Sequence, residues 1–164
     1  MHISGGDMTV FDTGMFGGKF MPLHKGHEYC IEVASEECRT VYAILFFAES
    51  KETIGKEYIS PERRWERLCA LCRRFDNVIP ARIDITGMLT PDGGEDWDRE
   101  TPEVLRICGR LDAVYSSEPS YGDYFARAYP CAIHRIVDAE RRAVPISGTM
   151  IRGMDEKERM RWII

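Results

Sequence analysis

Two histidines, His24 and His27, stand three residues apart behind a glycine pair and a lysine. In a helix that begins there, both rings lie on one face of the first turn, where free backbone N–H groups and the helix dipole attract anions. Gly17 and Gly18 are expected to turn the backbone tightly and let it approach a ligand, and Lys19 adds a cation. The stretch therefore predicts a cradle for a polyphosphate.

Two other interpretations of the histidine pair stay open. Polar residues at a helix N-terminus often do no more than cap it. Neighbouring histidines can also bind zinc, although the sequence offers no obvious further ligand nearby. The chain has four histidines in all, and the coincidence of two of them with the glycine pair and the lysine favours phosphate binding.

Composition restricts the class of protein. We expect 164 residues to form a single domain over 1–164, with 1–9 as a flexible arm. A net charge of −5 argues against general nucleic-acid binding, and an anionic substrate would need positive charge concentrated at its site. The chain has no long apolar span and no signal-peptide core, which predicts a cytoplasmic protein. Its six cysteines are expected to be reduced core thiols rather than disulfides or a metal site.

Strands alternate with helices along the chain. Apolar runs predict strands at 10–17, 40–48, 78–86, 113–116 and 131–137. Helices are expected from the histidine pair to Cys38, from Ser60 to Phe75, from Trp97 to Cys108, over 121–128, from Ser147 and over the final stretch to Ile164. This pattern predicts an α/β, Rossmann-like open parallel sheet of about five strands with helices on both faces.

Such a sheet binds ligands beyond the carboxyl ends of its strands, where the strand order reverses. The histidine pair, Trp97 and the loop at 116–118 should therefore face one crevice.

Other cations of the chain could be surface charges or phosphate contacts. Lys51 and Lys56 lie in a polar segment that we interpret as a solvated loop, with phosphate contact as the alternative. The arginines of the second predicted helix are expected at the surface, although one could reach a phosphate; they are Arg63, Arg64 and Arg67.

The segment His24-Lys25-Gly26-His27 resembles the HxGH signature of the nucleotidyltransferase superfamily, and Ile146-Ser147-Gly148-Thr149-Met150-Ile151-Arg152 resembles its second motif. Read alone, the second segment would be an ordinary helix cap. The family joins a nucleoside monophosphate unit from a triphosphate to a phosphate-bearing acceptor and releases pyrophosphate. The resemblance implies that His24, His27 and Lys19 act in catalysis, and that Mg²⁺ bridges the triphosphate without a metal site of the protein's own.

The same resemblance implies which residues bind the nucleotide: Gly17, Gly18, Phe20, Gly26, Ser147, Gly148, Thr149 and Arg152. The second motif would hold the departing pyrophosphate. Gly26 would leave room for a bulky group against the helix. Gly148 departs from the family pattern, in which many members carry serine at that position.

Further features are similar to the NMN adenylyltransferase domain of NadR-type proteins, namely Gly18-Lys19-Phe20, Asp96-Trp97, Tyr115-Ser116-Ser117-Glu118 and Ser147-Gly148-Thr149. This likeness implies AMP transfer from ATP to nicotinamide mononucleotide, giving NAD. Trp97 would stack on the nicotinamide ring, and Ser117 and Glu118 would contact the acceptor or adenosine. Two alternatives stay open: Trp97 could be a core or helix-start aromatic, and Ser117 and Glu118 could belong to a solvated turn.

Alternatives to this activity are pantetheine-phosphate adenylyltransferase, a cytidylyltransferase, and a nucleotide-binding sensor without turnover. The histidine pair argues against a sensor, which has no need to stabilise a transition state. The expected partners are ATP and a small phosphate-bearing acceptor, with neither nucleic acid nor membrane, and a homo-oligomer stays open.

Overall fold

The computed structural model describes residues 9–48, 53–54 and 57–164. The strands in this part of the chain are β1 (Phe11–Gly18), β2 (Cys38–Phe47), β3 (Thr53–Ile54), β4 (Glu57–Tyr58), β5 (Val78–Asp84), β6 (Ala113–Ser116) and β7 (Ile133–Ile136). The helices are α1 (Lys25–Glu37), α2 (Pro61–Cys72), α3 (Trp97–Cys108), α4 (Gly122–Ala128), α5 (Gly148–Arg152) and α6 (Glu156–Arg159). The expected arm, apart from residue 9, and the two lysines at 51 and 56 fall outside the described residues.

Five strands form one parallel sheet in the order β5-β2-β1-β6-β7. The short strands β3 and β4 pair antiparallel in a separate ribbon. From β1 the chain builds outwards first through β2 and β5, and then through β6 and β7. The strand order therefore reverses between β1 and β6, which is where such sheets bind ligands. The predicted open parallel α/β fold is confirmed.

Helices cover both faces of the sheet. Along β2, Ala43 and Leu45 belong to the core beneath α1 and α2, whereas Ile44 belongs to the core beneath α3 and α4. Because both of its faces are buried, β2 is a continuous apolar run rather than an alternating one. Four cysteines are buried free thiols in these two layers: Cys30, Cys38, Cys72 and Cys108. Cys69 is half-buried and Cys131 is exposed, so the expectation of a core thiol is wrong for Cys131. Within the described residues, no helix has the length and apolar character needed to cross a membrane.

The end of the chain differs from the prediction. The helix expected to reach Ile164 is wrong, because α6 ends at Arg159. The chain then turns back onto the start of α1, where the N–H of Lys25 donates to the carbonyl of Trp162 at 2.9 Å and His24 forms a β-bridge with Ile163. The last residues thus pack beside the histidine pair.

Arg64 is buried rather than at the surface, so the expectation for it is wrong. Only 1% of the residue is exposed. Its Nε donates to the carbonyl of Ile59 at 3.2 Å and its Nη1 donates to the carbonyl of Lys19 at 3.0 Å. Arg64 lies one turn before Leu68, on the buried face of α2. The arginine therefore ties α2 to the chain that leaves β1.

We expect Arg64→Met to lower the free energy of unfolding by about 2 kcal/mol, because two inward carbonyls lose a charged donor. The exposed neighbour Arg63 provides the control, and Arg63→Met should change that free energy by less than about 0.5 kcal/mol. Urea denaturation of both variants measures the difference. An Arg64→Met loss no larger than that of Arg63→Met would contradict this role.

Candidate active site

The backbone after β1 does not turn where the sequence suggested. Gly17 and Gly18 are still part of the strand, so the tight turn expected there is wrong. Gly17 instead makes room for a neighbouring ring, since a Cβ at this position would lie 2.5 Å from the Phe46 side chain. The turn comes at Phe20, whose φ of 50° is in the left-handed region. Packing of the buried Phe20 ring holds this unusual conformation.

The two histidines cap α1 reciprocally. His24 is the N-cap residue, just outside the helix, and its Nδ1 accepts from the N–H of Gly26 at 3.0 Å. Nδ1 of His27 accepts from the N–H of His24 at 3.1 Å. The rings stack with their centroids 3.7 Å apart. The capping interpretation therefore describes the backbone correctly, and it is compatible with ligand binding because it uses one nitrogen of each ring.

The caps determine how the rings are protonated. Because both Nδ1 atoms accept hydrogen bonds, each neutral ring carries its proton on Nε2. Burial, with smaller contributions from the charges of Arg141 and Arg152, lowers the pKa of His24 to about 4. Burial also lowers the pKa of His27 well below its ordinary value, with contributions from His24 and Arg141. At neutral pH the pair therefore supplies two uncharged Nε2–H donors.

Gly26 has a different use from the one expected. A Cβ at this position would lie 2.8 Å from Cε1 of His24 and 3.5 Å from the carbonyl oxygen of Ile146. The glycine thus accommodates the first histidine ring and lets the 146–152 segment cross close to the start of α1, and its contact with a nucleotide stays a prediction.

The second motif lies beside the first. Ser147 caps α5, with its hydroxyl accepting from the N–H of Met150 at 3.2 Å. Arg152 donates from Nη1 to the carbonyl of Met21 at 3.1 Å, across 131 positions of sequence, and from Nη2 to the Thr149 hydroxyl at 3.3 Å. A Cβ on Gly148 would come within 3.0 Å of the same guanidinium. The fold thus brings the two segments together and places a positive charge near His24.

Arg141 is a further cation of the site that the sequence analysis missed. It lies in a turn after β7 with a φ of 56°. The turn is fixed by the Asp138 carboxylate, which accepts from three successive backbone N–H groups, those of Arg142, Ala143 and Val144, at 2.8–2.9 Å. The positive charge of Arg141 contributes to lowering the pKa of both His24 and His27. An aspartate directly after an apolar strand often marks a turn, so Asp138 could have drawn attention to this loop.

A cleft of about 280 Å³ opens at the carboxyl ends of β1 and β6. Much of its wall is aromatic, formed by Trp97, Tyr121, Tyr124, Phe125 and Tyr129. Trp97 is the first residue of α3, and its ring makes edge contacts with Tyr121 and Tyr124 at centroid distances of 4.9 and 5.1 Å. Trp97 is therefore both a helix-start aromatic and a wall of the cleft.

The remaining predicted residues divide between the cleft and its surroundings. Gly17, Gly18 and Lys19 line the cleft, and Lys19 pairs with Glu95 at 3.8 Å. Phe20 is not among the described residues that line the cleft, and its ring centroid lies 5.0 Å from that of His27.

Ser117 and Glu118 are not among the described residues that line the cleft. The Ser117 hydroxyl lies 3.3 Å from the sulfur of Cys30, and the Glu118 carboxylate accepts from the N–H of Ser120. Ser116 lines the cleft, with its hydroxyl 2.6 Å from Nε2 of His134. A ligand role for Ser117 and Glu118 stays a prediction.

The described part of the chain contains no preformed metal site. No group of three or more His, Cys, Asp or Glu side chains is placed there to hold an ion. The Nδ1 atoms of His24 and His27 are already engaged by backbone N–H groups. The zinc interpretation therefore gains no support from this arrangement.

Known proteins resemble this chain over most of its length. The cytidylyltransferase-like family model matches residues 15–154. The trifunctional NAD biosynthesis/regulator protein NadR of Escherichia coli (strain K12) is 26% identical over 153 residues, a match that covers 85% of this chain and 36% of that protein. The chain thus spans about a third of the length of this curated relative.

Two solved structures show the same fold. A NadR protein in complex with NAD and AMP-PNP has a TM-score of 0.67 and 20% identity, covering 95% of this chain and 45% of that one. A bifunctional NMN adenylyltransferase/ADP ribose pyrophosphatase from Francisella tularensis has a TM-score of 0.65 and 19% identity, covering 87% and 41%. Since the family model spans both motif segments and nearly all of the sheet between them, the chain belongs to the cytidylyltransferase-like family of nucleotidyltransferases.

Proposed function

We propose that the protein transfers AMP from ATP to nicotinamide mononucleotide, giving NAD and pyrophosphate. The main support is a juxtaposition at the carboxyl end of β1. A histidine pair with arginines nearby lies at the start of α1 and suits a polyphosphate. An aromatic cleft, which suits a flat ring, opens at the carboxyl ends of β1 and β6.

The phosphate side supplies donors and charge for an in-line displacement. An oxygen of the acceptor phosphate attacks the α-phosphorus of ATP, and the bond from that phosphorus to the bridging oxygen breaks as pyrophosphate leaves with the electron pair. In this proposal the Nε2–H groups of His24 and His27 donate to phosphate oxygens as charge builds on them. Arg141 and Arg152 supply the positive charge that the neutral rings lack, and Lys19 adds a cation from the wall of the neighbouring cleft.

Mg²⁺ would accompany ATP, since no cluster of side chains in the described residues is placed to hold it. It would neutralise part of the triphosphate charge. The chain's own contribution is to orient the phosphates through the histidine donors, because the backbone N–H groups of His24, Lys25 and Gly26 at the start of α1 already donate within the protein.

The acceptor side suits a cationic pyridine ring. The Trp97 face can stack on such a ring, and the quadrupole of an indole attracts a positive charge. The relatives point the same way, since one is described as an NAD biosynthesis protein and one solved structure holds NAD with AMP-PNP. These likenesses support a pyridine nucleotide as the acceptor for this chain.

An end-point assay tests the proposal. The protein is incubated with ATP or CTP, together with nicotinamide mononucleotide, phosphopantetheine or a phosphorylated alcohol, and pyrophosphate and NAD are measured. We expect product from ATP and nicotinamide mononucleotide. Pyrophosphate release only with another pair would assign a different family activity. Nucleotide binding by calorimetry without any product would favour a sensor.

His27→Asn should separate catalysis from capping. The Asn amide can keep the hydrogen bond from the His24 N–H, whereas the Nε2–H donor is lost. We expect kcat to fall by about 100- to 1,000-fold, as for loss of one transition-state donor, with the affinity for ATP nearly unchanged. Stopped-flow turnover and calorimetry measure the two quantities.

Lys25→Ala, a change at the exposed neighbour, should leave kcat within about twofold of the parent. His27→Ala removes donor and cap together, so it should lose thermal stability as well as turnover. Parent-like kcat in His27→Asn would exclude this histidine from the chemistry.

Trp97→Ala should weaken binding of the acceptor more than binding of ATP. Losing the stacking face is expected to raise KM for nicotinamide mononucleotide by about tenfold, while KM for ATP changes by less than about twofold. Trp97→Phe keeps a ring and should restore most of the affinity. Equal increases for both substrates would indicate that Trp97 only supports the fold of α3.

A further inference from the structure

The guanidinium of Arg141 lies beside the site without a protein partner in the described part of the chain. The residue is half-buried, and its side chain makes no hydrogen bond or ion pair with any described residue. Other cations of the site are engaged, since Arg152 donates to the carbonyl of Met21 and Lys19 pairs with Glu95. Taking a guanidinium out of water without a partner is costly, so Arg141 is a candidate for binding an anionic ligand.

The backbone of Arg141 is held by the turn that contains it. Its φ of 56° lies in the left-handed region, a costly conformation for a residue with a Cβ. The N–H of Arg141 donates to the carbonyl of Asp138 at 2.9 Å, and the Asp138 carboxylate accepts from the next three N–H groups. The turn begins where the N–H of Val137 donates to the carbonyl of Ser116, a residue that lines the cleft, at 2.8 Å. The guanidinium therefore extends from a fixed turn beside the end of β6.

The charge of Arg141 acts on both halves of the site. Together with burial, which is the larger cause, it lowers the pKa of His24 and His27 at the start of α1. In the cleft wall, burial and then nearby carboxylates raise the pKa of Tyr121, and the charge of Arg141 opposes that rise. Arg141 thus lies within electrostatic reach of the histidine pair and of the aromatic cleft.

The proposed reaction requires an anion at this junction. With the triphosphate at the histidines and the ring in the cleft, the group that joins the two halves is the phosphate of the acceptor. A phosphate monoester carries a charge of roughly −1.5 to −2 at neutral pH, and its oxygens match the parallel N–H donors of a guanidinium. The histidines are neutral, so the charge that attracts this group must come from a cation.

We propose that Arg141 binds the phosphate of the acceptor and holds it between the histidine pair and the aromatic cleft, where one of its oxygens faces the α-phosphorus of ATP. This inference rests on the proposed function, which it deepens. It divides the two arginines between the substrates, with Arg141 for the attacking phosphate and Arg152 for the pyrophosphate that leaves.

Calorimetry of two ligands that differ only in the phosphate tests this role. The parent should bind nicotinamide mononucleotide at least about 30-fold more tightly than nicotinamide riboside, as expected for a partly buried charge pair. Arg141→Asn removes the guanidinium, and Asn tolerates the left-handed backbone. This variant should bind both ligands with similar affinity, while its affinity for the riboside stays at the parental value. A purely structural role would weaken both ligands equally, and that result would overturn the inference.

Steady-state kinetics separate the two substrates. Arg141→Asn should raise KM for nicotinamide mononucleotide by about 30- to 100-fold, while KM for ATP changes by less than about threefold. Arg141→Lys keeps the charge but loses the planar fork, so it should raise the acceptor KM by about tenfold. Equal increases of KM for both substrates would overturn the assignment of Arg141 to the acceptor.

Arg142→Asn is the matched control in the same turn. The Arg142 side chain is exposed and pairs with Glu140, so this variant should keep the parental preference for the phosphorylated ligand. If Arg141→Asn is not recovered as folded protein, Arg141→Lys is the second variant, and it should reduce that preference by about tenfold. A parental preference in the folded Arg141 variant would overturn the inference.

The two proposals fail in distinguishable ways. If the parent makes NAD but Arg141→Asn keeps its preference for the phosphorylated ligand, the role of Arg141 is wrong and the activity stands. If the parent makes no NAD, the activity is wrong, and calorimetry decides the role of Arg141. Phosphate-dependent binding that Arg141→Asn loses would support that role, and absence of phosphate-dependent binding in the parent would overturn it.

Discussion

The site depends on the two hydrogen bonds by which the histidines cap α1. Nδ1 of each ring accepts a hydrogen bond from a backbone N–H. The position, stacking and tautomer of both rings are therefore set by the start of the helix. The two rings therefore need no ordering when a ligand arrives, and Nε2 of each ring is the remaining donor. Burial keeps both rings neutral, so the positive charge must come from the arginines around them. The histidines thus supply uncharged hydrogen-bond donors, and the arginines supply the positive charge.

That arrangement requires the end of the chain to return to its beginning. Arg152 reaches the carbonyl of Met21, and the residues after α6 pack on the first turn of α1. The absence of a side chain at Gly26 lets the backbone at Ile146 approach closely. The first and last thirds of the sequence meet at one end of the sheet, while the middle of the chain supplies α2, β5 and the aromatic wall. The site is therefore complete only when nearly the whole described fold has formed.

The fold and the approximate location of the site could be predicted because they follow from local patterns. The apolar run in β2 and the alternation of strands with helices are enough to indicate a covered parallel sheet, and the strand-order reversal follows from its topology. The errors concern features set by distant contacts. The turn at Phe20 is held by packing of its ring, and Arg64 is buried because carbonyls elsewhere accept its donors. Arg141 depends on the loop around Asp138. Neither the sequence around Gly17 and Gly18 nor the sequence around Arg64 gives a local sign of these distant contacts.

The histidine pair and the aromatic cleft also belong to different layers of the fold. The histidines lie at the start of α1, whereas the cleft wall is formed largely by α3 and α4 on the opposite face of the sheet. Substitutions in the second layer can therefore reshape the cleft without displacing the histidines. A division of this kind lets selection alter one half of a site while the other half is inherited intact.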